Sequence, residues 1–428
     1  MAKTITPTRV PGISDPELLR PRVLKNLLEL MEETPPLGDR YEEKMKALIF
    51  EAYENANGNL GEMEQDFLDE IFEYVTDYGD MQEFFEDPDV SEIMVNGPDQ
   101  IFIEKKGKLI LTSAKYQSEM QLRFAVNHII NPLGRYVNYK SPTIDAHLQD
   151  GSRVNVVIPP VAQQGSCISV RRFLKDKLSV DDLVGLGAIT QGMADFVAVC
   201  VQARLNVIVA GNTSSGKTTF LNILARAIPD HERIVTIEDS VELQLPQVHK
   251  VSLEARPPDH TGQGQVTIRD LVKNSLRMRP DRIIVGEIRG GEALDMLQAM
   301  NTGHDGSMTT VHSNSPRDTL SRLETMTLMA GFELPVVAIR KQIAAALDLI
   351  VYLTRFPDGT RKVTQVSEVA GMESEVITLT DIFQFQQTGT DSDGKPVGQF
   401  RPTGLRPMFT PKLEAMGYKF DRQMFMAK

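Results

Sequence analysis

The run Gly211-Asn212-Thr213-Ser214-Ser215-Gly216-Lys217-Thr218-Thr219 satisfies G-x-x-x-x-G-K-[ST] at every fixed position. That spacing implies a chemistry. Gly211 and Gly216 let the backbone curl so that successive N–H groups point inward, and a helix beginning at Lys217 adds its positive end, which together suit a polyphosphate anion. Lys217 is placed for the β- and γ-phosphates and the Thr218 hydroxyl for Mg²⁺, so ATP with Mg²⁺ is the expected ligand. Hydrolysis also needs carboxylates near the phosphates. Arg233–Ile237 reads as a strand delivering Glu238, Asp239 and then Glu242, and Ile283–Val285 as another delivering Gly286 and Glu287. Glu287, in the place of a Walker B carboxylate, is expected to act on Mg²⁺ or its water. It follows a glycine and no aspartate ends its strand, so spacing alone leaves the division of labour among Glu238, Glu242 and Glu287 open.

Two further groups are candidates. His312 ends the run Ser307–His312 just before a helix start in which Ser315 is the N-cap, Pro316 the first helical residue and Asp318 a reach-back partner. A structural histidine and a phosphate sensor both fit that position. Arg153, Arg171 and Arg172 precede the phosphate loop, and their residue types suit surface charges and phosphate partners equally well.

The elements that must position these groups follow from the apolar pattern. Asn206–Ala210 is short, apolar and rich in β-branched residues, a buried strand, and Phe220–Leu224 continues as a helix. Strand and helix signals alternate through the second half, the mark of an open α/β sheet with ligands at the carboxyl ends of its strands. The expected organisation is a loose arm at 1–14, an acidic helical module at 15–80, a small α+β domain at 81–175, a Gly- and Asp-bearing linker at 176–189 and the nucleotide domain at 190–428. Further strands are expected at Leu349–Leu353, Val363–Val369 and Val376–Phe385.

Bulk composition excludes several classes. The chain has 428 residues, 41% hydrophobic and 24% charged, more than one core usually serves. Neither a secretory leader nor a membrane-spanning run is visible, so a membrane role is expected only through partners. A net charge of −12 argues against a whole-surface grip on nucleic acid, and no direct nucleic-acid contact is expected. Two cysteines build neither a disulfide framework nor a four-cysteine zinc site. Cys200, in helical register with Met193, Phe196 and Val197, reads as core, as does Cys167. The carboxylates of the helical module lack ligand spacing, Asp391-Ser392-Asp393-Gly394 lacks the closing glutamate of a calcium loop, and Gly262-Gln263-Gly264 lacks the strand of a dinucleotide fingerprint.

The series GNTSSGKTT, RIVTIEDSVELQL and RPDRIIVGEIRGGEALDMLQAMNTGHDGSMTTVHSNSPRDTLSRLE resembles the Walker A, Asp-box, Walker B and His-box succession of the type II/type IV secretion ATPases. Within them, DPDVSEIMVNGPDQIFIEKKG, DGSRVNVVIPP and SVRRF are most similar to the tight-adherence (Flp) pilus motors, the CpaF/TadA branch, and the missing zinc module agrees. The resemblance covers about Phe67 to Leu353. It implies a RecA-like P-loop ATPase domain preceded by a PAS-like α+β domain, with nucleotide between them, in a cytoplasmic homohexamer at the inner face of the inner membrane. It further implies that Glu242, with Glu238, handles the attacking water, that Arg153, Arg171 and Arg172 act as arginine fingers, and that His312 reports phosphate state. The partner it implies is an inner-membrane pilus platform protein; the related alternative is a secretion ATPase moving protein or DNA.

Overall fold

The computed structural model describes residues 12–173, 178–258, 263–392 and 394–426. Most of the expected arm, Asp176 and Lys177 of the expected linker, Gly262 and Asp393 lie outside them. Contacts group the chain into two compact units, Met1–Lys175 and Asp176–Lys428.

The first unit opens with α1 (Pro16–Glu33), α2 (Tyr41–Asn55) and α3 (Glu64–Val75). Asp15 caps α1 by accepting the Glu17 N–H at 2.9 Å, with Pro16 at the first helical position. Stripes at helical spacing, among them Leu19, Val23 and Leu27, Met45 and Ile49, and Phe67 and Ile71, close on one another. Phe124, from the strand-bearing part of the unit, enters this same cluster. That part comprises α4 (Gln82–Glu86), β1 (Val90–Asn96), β2 (Ile101–Lys105), β3 (Lys108–Leu111), α5 (Glu119–Ile130), β4 (Thr143–His147), β5 (Arg153–Val157) and β6 (Cys167–Arg171). The strands form one antiparallel sheet in the order β3-β2-β1-β6-β5-β4. Alternation decides its faces. Val154, Val156, Ile168 and Val170 are buried in a cluster that also holds Leu122, Val126 and Ile130 of α5, whereas Arg153 and Arg171 occupy the other face as direct cross-strand partners.

The second unit begins with a departure from expectation: 180–185, read as linker, forms the helix α6 (Val180–Gly185). Ser179 and Asp182 close a reciprocal capping box there, and that local satisfaction of backbone donors outweighs the glycine content. After α7 (Gln191–Gln202) come β7 (Val207–Gly211), α8 (Lys217–Ala225), β8 (Ile234–Glu238), β9 (Lys250–Glu254), α9 (Ile268–Ser275), β10 (Arg282–Val285) and α10 (Glu292–Asn301). Then follow β11 (Met308–His312), α11 (Pro316–Leu328), α12 (Val336–Ala346), β12 (Leu349–Arg355), β13 (Arg361–Glu373), β14 (Val376–Thr390), β15 (Pro396–Pro402) and α13 (Thr410–Ala415). The sheet order is β15-β14-β13-β12-β7-β11-β10-β8-β9, parallel from β12 to β9 and antiparallel from β12 to β15.

β7 is the centre of this sheet. Val207 and Val209 face one apolar cluster, Ile208 and Ala210 the other, so the strand is buried on both sides and its sequence shows no polar alternation. One cluster is closed by the segment after β15, where Phe409, Phe420 and Phe425 gather around Phe196 of α7. Glu368 of β13 anchors that segment by accepting the N–H groups of Met408 at 2.9 Å and Phe409 at 3.2 Å.

Candidate functional site

Strand register brings the site together. Gly211 at the end of β7 pairs with His312 of β11 on one side and Leu353 of β12 on the other, and Ile237 of β8 pairs with Val285 of β10. The phosphate loop, His312, Glu238 and Glu287 therefore all emerge at the carboxyl edge of one parallel sheet, where open α/β folds bind ligands.

The loop needs its glycines. A Cβ on Gly211 would sit 2.3 Å from the Leu353 carbonyl oxygen, and Gly216, at φ +89°, is the left-handed N-cap of α8. Ser214 is also left-handed, at φ +56°. Left-handed residues in such a turn aim successive N–H groups into one concavity, and no side chain caps the N-terminus of α8. In the loop Asn212 is half-buried, Thr213 exposed and Ser215 buried, and Thr218 and Thr219 lie on the first turn of α8.

Lys217 is the first of a chain of polar contacts. Its Nζ donates to the Asn212 carbonyl at 3.0 Å and lies 3.3 Å from His312 Nδ1. His312 Nε2 is 3.3 Å from Glu287 Oε1, and Glu287 Oε2 accepts from Arg289 at 2.6 Å. Arg289 in turn lies 3.7 Å from Asp239. Since the lysine ammonium only donates, His312 Nδ1 is the acceptor and Nε2–H the donor to Glu287, an assignment that follows from the network. Burial, followed by the charge of Lys217, holds the His312 pKa below its ordinary value, against the pull of Glu287. Arg289 is held above its ordinary value chiefly by its hydrogen bond to Glu287, with Asp239 and Glu242 adding charge.

Glu238 has a different part. It is buried, and its Oε1 accepts the backbone N–H groups of Glu242 and Leu243, each at 3.0 Å, so it fixes the turn that carries Glu242. Its Cγ lies 3.0 Å from where a Cβ on Gly286 would stand. A side chain at 286 would therefore press on Glu238. Glu242 contributes to the field at Arg289, so the expected carboxylates, the histidine and the lysine form one constellation.

The first unit's arginines divide. Arg172 is engaged locally: its Nη1 donates to the carbonyls of Val90 at 3.2 Å, Phe84 at 3.3 Å and Asp87, so it staples the corner between α4 and β1. These bonds occupy one of the three guanidinium nitrogens of Arg172 within its own unit. Arg171 is exposed and Arg153 half-buried on the same sheet face.

Arg289 and the β12–β13 hairpin were missed by sequence reasoning. Arg289 follows Glu287 by two residues, a spacing that could have marked it as an ion-pair partner. Arg361, whose Nε donates to the Ser214 carbonyl at 2.8 Å, lies far from the loop in sequence and gave no signal. The oxygens that could hold Mg²⁺ are the Thr218 hydroxyl and the Glu287 carboxylate. Hard oxygens, few in number, suit an ion that shares its shell with phosphate and water; among the described residues no cluster of three or more metal-binding side chains builds a closed protein cage.

A phosphate loop heading a parallel sheet, with carboxylates at neighbouring strand ends, defines the class of P-loop proteins. More narrowly, the chain belongs to the Type II/IV secretion system protein family, which matches residues 76–392. It is 35% identical over 296 residues to a putative conjugal transfer protein of Mycobacterium tuberculosis, spanning 68% of this chain and 84% of that one. Conjugal transfer protein TrbB of Rhizobium radiobacter is 34% identical over 291 residues, 67% of this chain and 85% of its own. Among solved structures, the VirB11 ATPase of the Brucella suis type IV secretion system in complex with sulphate is 28% identical with a TM-score of 0.38, covering 67% of this chain and 95% of that one.

Proposed function

We propose that the protein is a Mg²⁺-dependent ATP hydrolase that powers assembly of a tight-adherence (Flp) type IV pilus and is a candidate for its retraction. It works as a cytoplasmic homohexamer through an inner-membrane platform protein. The observation that carries the hydrolase reading is the continuous chain Lys217–His312–Glu287, which couples the phosphate loop to the carboxylate at the end of β10. Lys217 and the α8 N-terminus hold the polyphosphate; Thr218 and Glu287 would hold Mg²⁺, which when bound offsets phosphate charge. Glu242, set by Glu238, orients or deprotonates the water. A scaffold that binds nucleotide without turnover has no use for these carboxylates. Arg153 and Arg171 stabilise the γ-phosphate: substituting either with Ala should lower turnover about 10²-fold with ADP affinity barely changed.

The pilus branch is supported by the sequence runs around Asp87–Gly107 and by a cysteine count too small for a four-cysteine zinc module. A second reading, a type IV secretion ATPase moving protein or DNA, is favoured by the conjugal-transfer names of the relatives. No helix among the described residues is long and apolar enough to cross a membrane, in keeping with action through membrane partners. Labelled pili should be followed in cells carrying the wild-type chain or Lys217→Ala. Pili lost in the variant support the first reading; intact pili with lost protein or DNA transfer select the second.

A further inference from the structure

We infer that the β12–β13 hairpin is a clamp on the phosphate loop, with Arg361 the positioning residue that holds Ser214 in its left-handed turn. This inference rests on the nucleotide-binding reading and deepens it. Three contacts from one hairpin meet the loop. The Leu353 carbonyl closes on Gly211, the Arg355 N–H donates to Asn212 Oδ1 at 3.2 Å, and Arg361 Nε donates to the Ser214 carbonyl at 2.8 Å. The Arg361 Cδ also lies 3.4 Å from where a Cβ on Gly216 would stand, so the side chain lies along the loop's outer wall.

Ser214 is where a restraint matters most. It is neither glycine nor asparagine, yet it stands at φ +56°, a region costly to ordinary side chains, and the inward aim of the following N–H groups depends on it. A hydrogen bond to its own carbonyl is the direct way to keep that peptide from flipping. Remove it, and the loop must be ordered by the nucleotide itself, at a cost in affinity shared by ADP and ATP.

The same strand carries the restraint away from the loop. Lys362, next in sequence, donates to the Gly187 carbonyl at 2.8 Å, and the Val363 N–H donates to the Ala188 carbonyl at 2.8 Å. The Lys362 ammonium is set 5.2 Å from the Phe385 ring centre and 5.9 Å from that of Phe400, which fixes it laterally. Residues 187–188 belong to the segment that opens the second unit, so the peptide at Ser214 and that segment are held by adjacent residues of β13.

The test is a double-variant cycle read by ADP titration and by amide hydrogen exchange. Arg361→Ala should weaken ADP binding about five- to tenfold, the size of a left-handed penalty no longer held off, while kcat at saturating ATP falls less than KM rises. In a Ser214→Gly background, where glycine adopts the turn without strain, the same Arg361→Ala change should cost less than twofold. Amide exchange at Ser215 and Gly216 should be slow in the nucleotide-free wild type, faster in nucleotide-free Arg361→Ala, and slowed again there by ADP. Equal losses in both backgrounds would mean that Arg361 merely supports the fold and would overturn the clamp, as would wild-type affinity in Arg361→Ala. A wild-type chain that binds no nucleotide would instead overturn the reading beneath it.

Discussion

The two ends of the second unit's sheet carry the same kinds of residue to opposite purposes. At the carboxyl end, Arg289 meets Glu287 and Asp239 with its side chain 60% exposed; at the amino end, Arg282 meets Glu232 with its side chain 0% exposed. Arg282 donates to both Glu232 oxygens and to the Gly306 carbonyl, and Arg204 ties Glu232 to Asp281. Gly306, at φ +82°, has to be glycine, because a Cβ there would lie 1.8 Å from an Arg282 nitrogen. Asn206 extends the lattice, accepting from the N–H groups of Gly306 and Ser307 and donating to the Ala346 carbonyl. Charge alone therefore identifies neither end. What separates them is whether partners saturate the groups away from water, which makes a fixture, or leave them facing it, which makes a site.

That contrast can be broken by four measurements. Lys217→Ala should abolish ATP hydrolysis while thermal unfolding stays near wild type, because the loop loses its ammonium over the β- and γ-phosphates; wild-type turnover would remove the site assignment. Arg282→Met should do the reverse. It leaves Glu232 buried with only Arg204, costs about 3–5 kcal/mol in urea unfolding, and leaves the ADP affinity of the folded protein unchanged. If it instead cut turnover without moving the unfolding midpoint, the amino end would be part of the site. Glu287→Gln should keep nucleotide affinity within a few-fold and lower turnover by roughly 10² or more. Equal loss of binding and turnover would assign Glu287 a structural part.

The smallest effect is titration of His312. Its folded pKa lies below 6.5, with Lys217, Arg289 and Arg322 opposing its charge and Glu287 favouring it. The unfolded chain therefore takes up the proton first as pH falls, so the stability that neutral His312 contributes is complete above 6.5 and is lost on going down from there towards the folded pKa. Because the group is partly exposed, the loss should stay below about 1 kcal/mol, and a His312→Gln chain should show a correspondingly flatter unfolding profile between neutral and mildly acid pH.

Local signals made much of the carboxyl end legible. The glycines, Lys217 and Thr218 are fixed by loop chemistry, and β7, β8 and β10 by apolar runs buried on both faces. Illegible were strands defined by their neighbours. β9 alternates between exposed and half-buried, β15 opens and closes on proline, and β4 is mostly exposed, so each owes its identity to the strand beside it. Arg172 shows the same limit: residue type and position suggest a phosphate ligand, and only the fold shows the carbonyls gathered around its Nη1. Gly286 was legible as an oddity, and its closeness to the Glu238 side chain emerged only from the packing of two strands.

The aromatic closure around Phe196 has a consequence for how the chain comes into being. α7 leaves the ribosome about two hundred residues ahead of Phe409, Phe420 and Phe425, which cover it. At ordinary elongation rates this leaves an apolar surface on the nascent chain without its cover for roughly 10–50 s. The parallel strands cannot pair sooner, since each waits for its crossover. Biogenesis, rather than the folded state, is where this protein is most exposed to aggregation, and a ribosome stalled before Phe409 would release a chain with its sheet built and one of its two cores open.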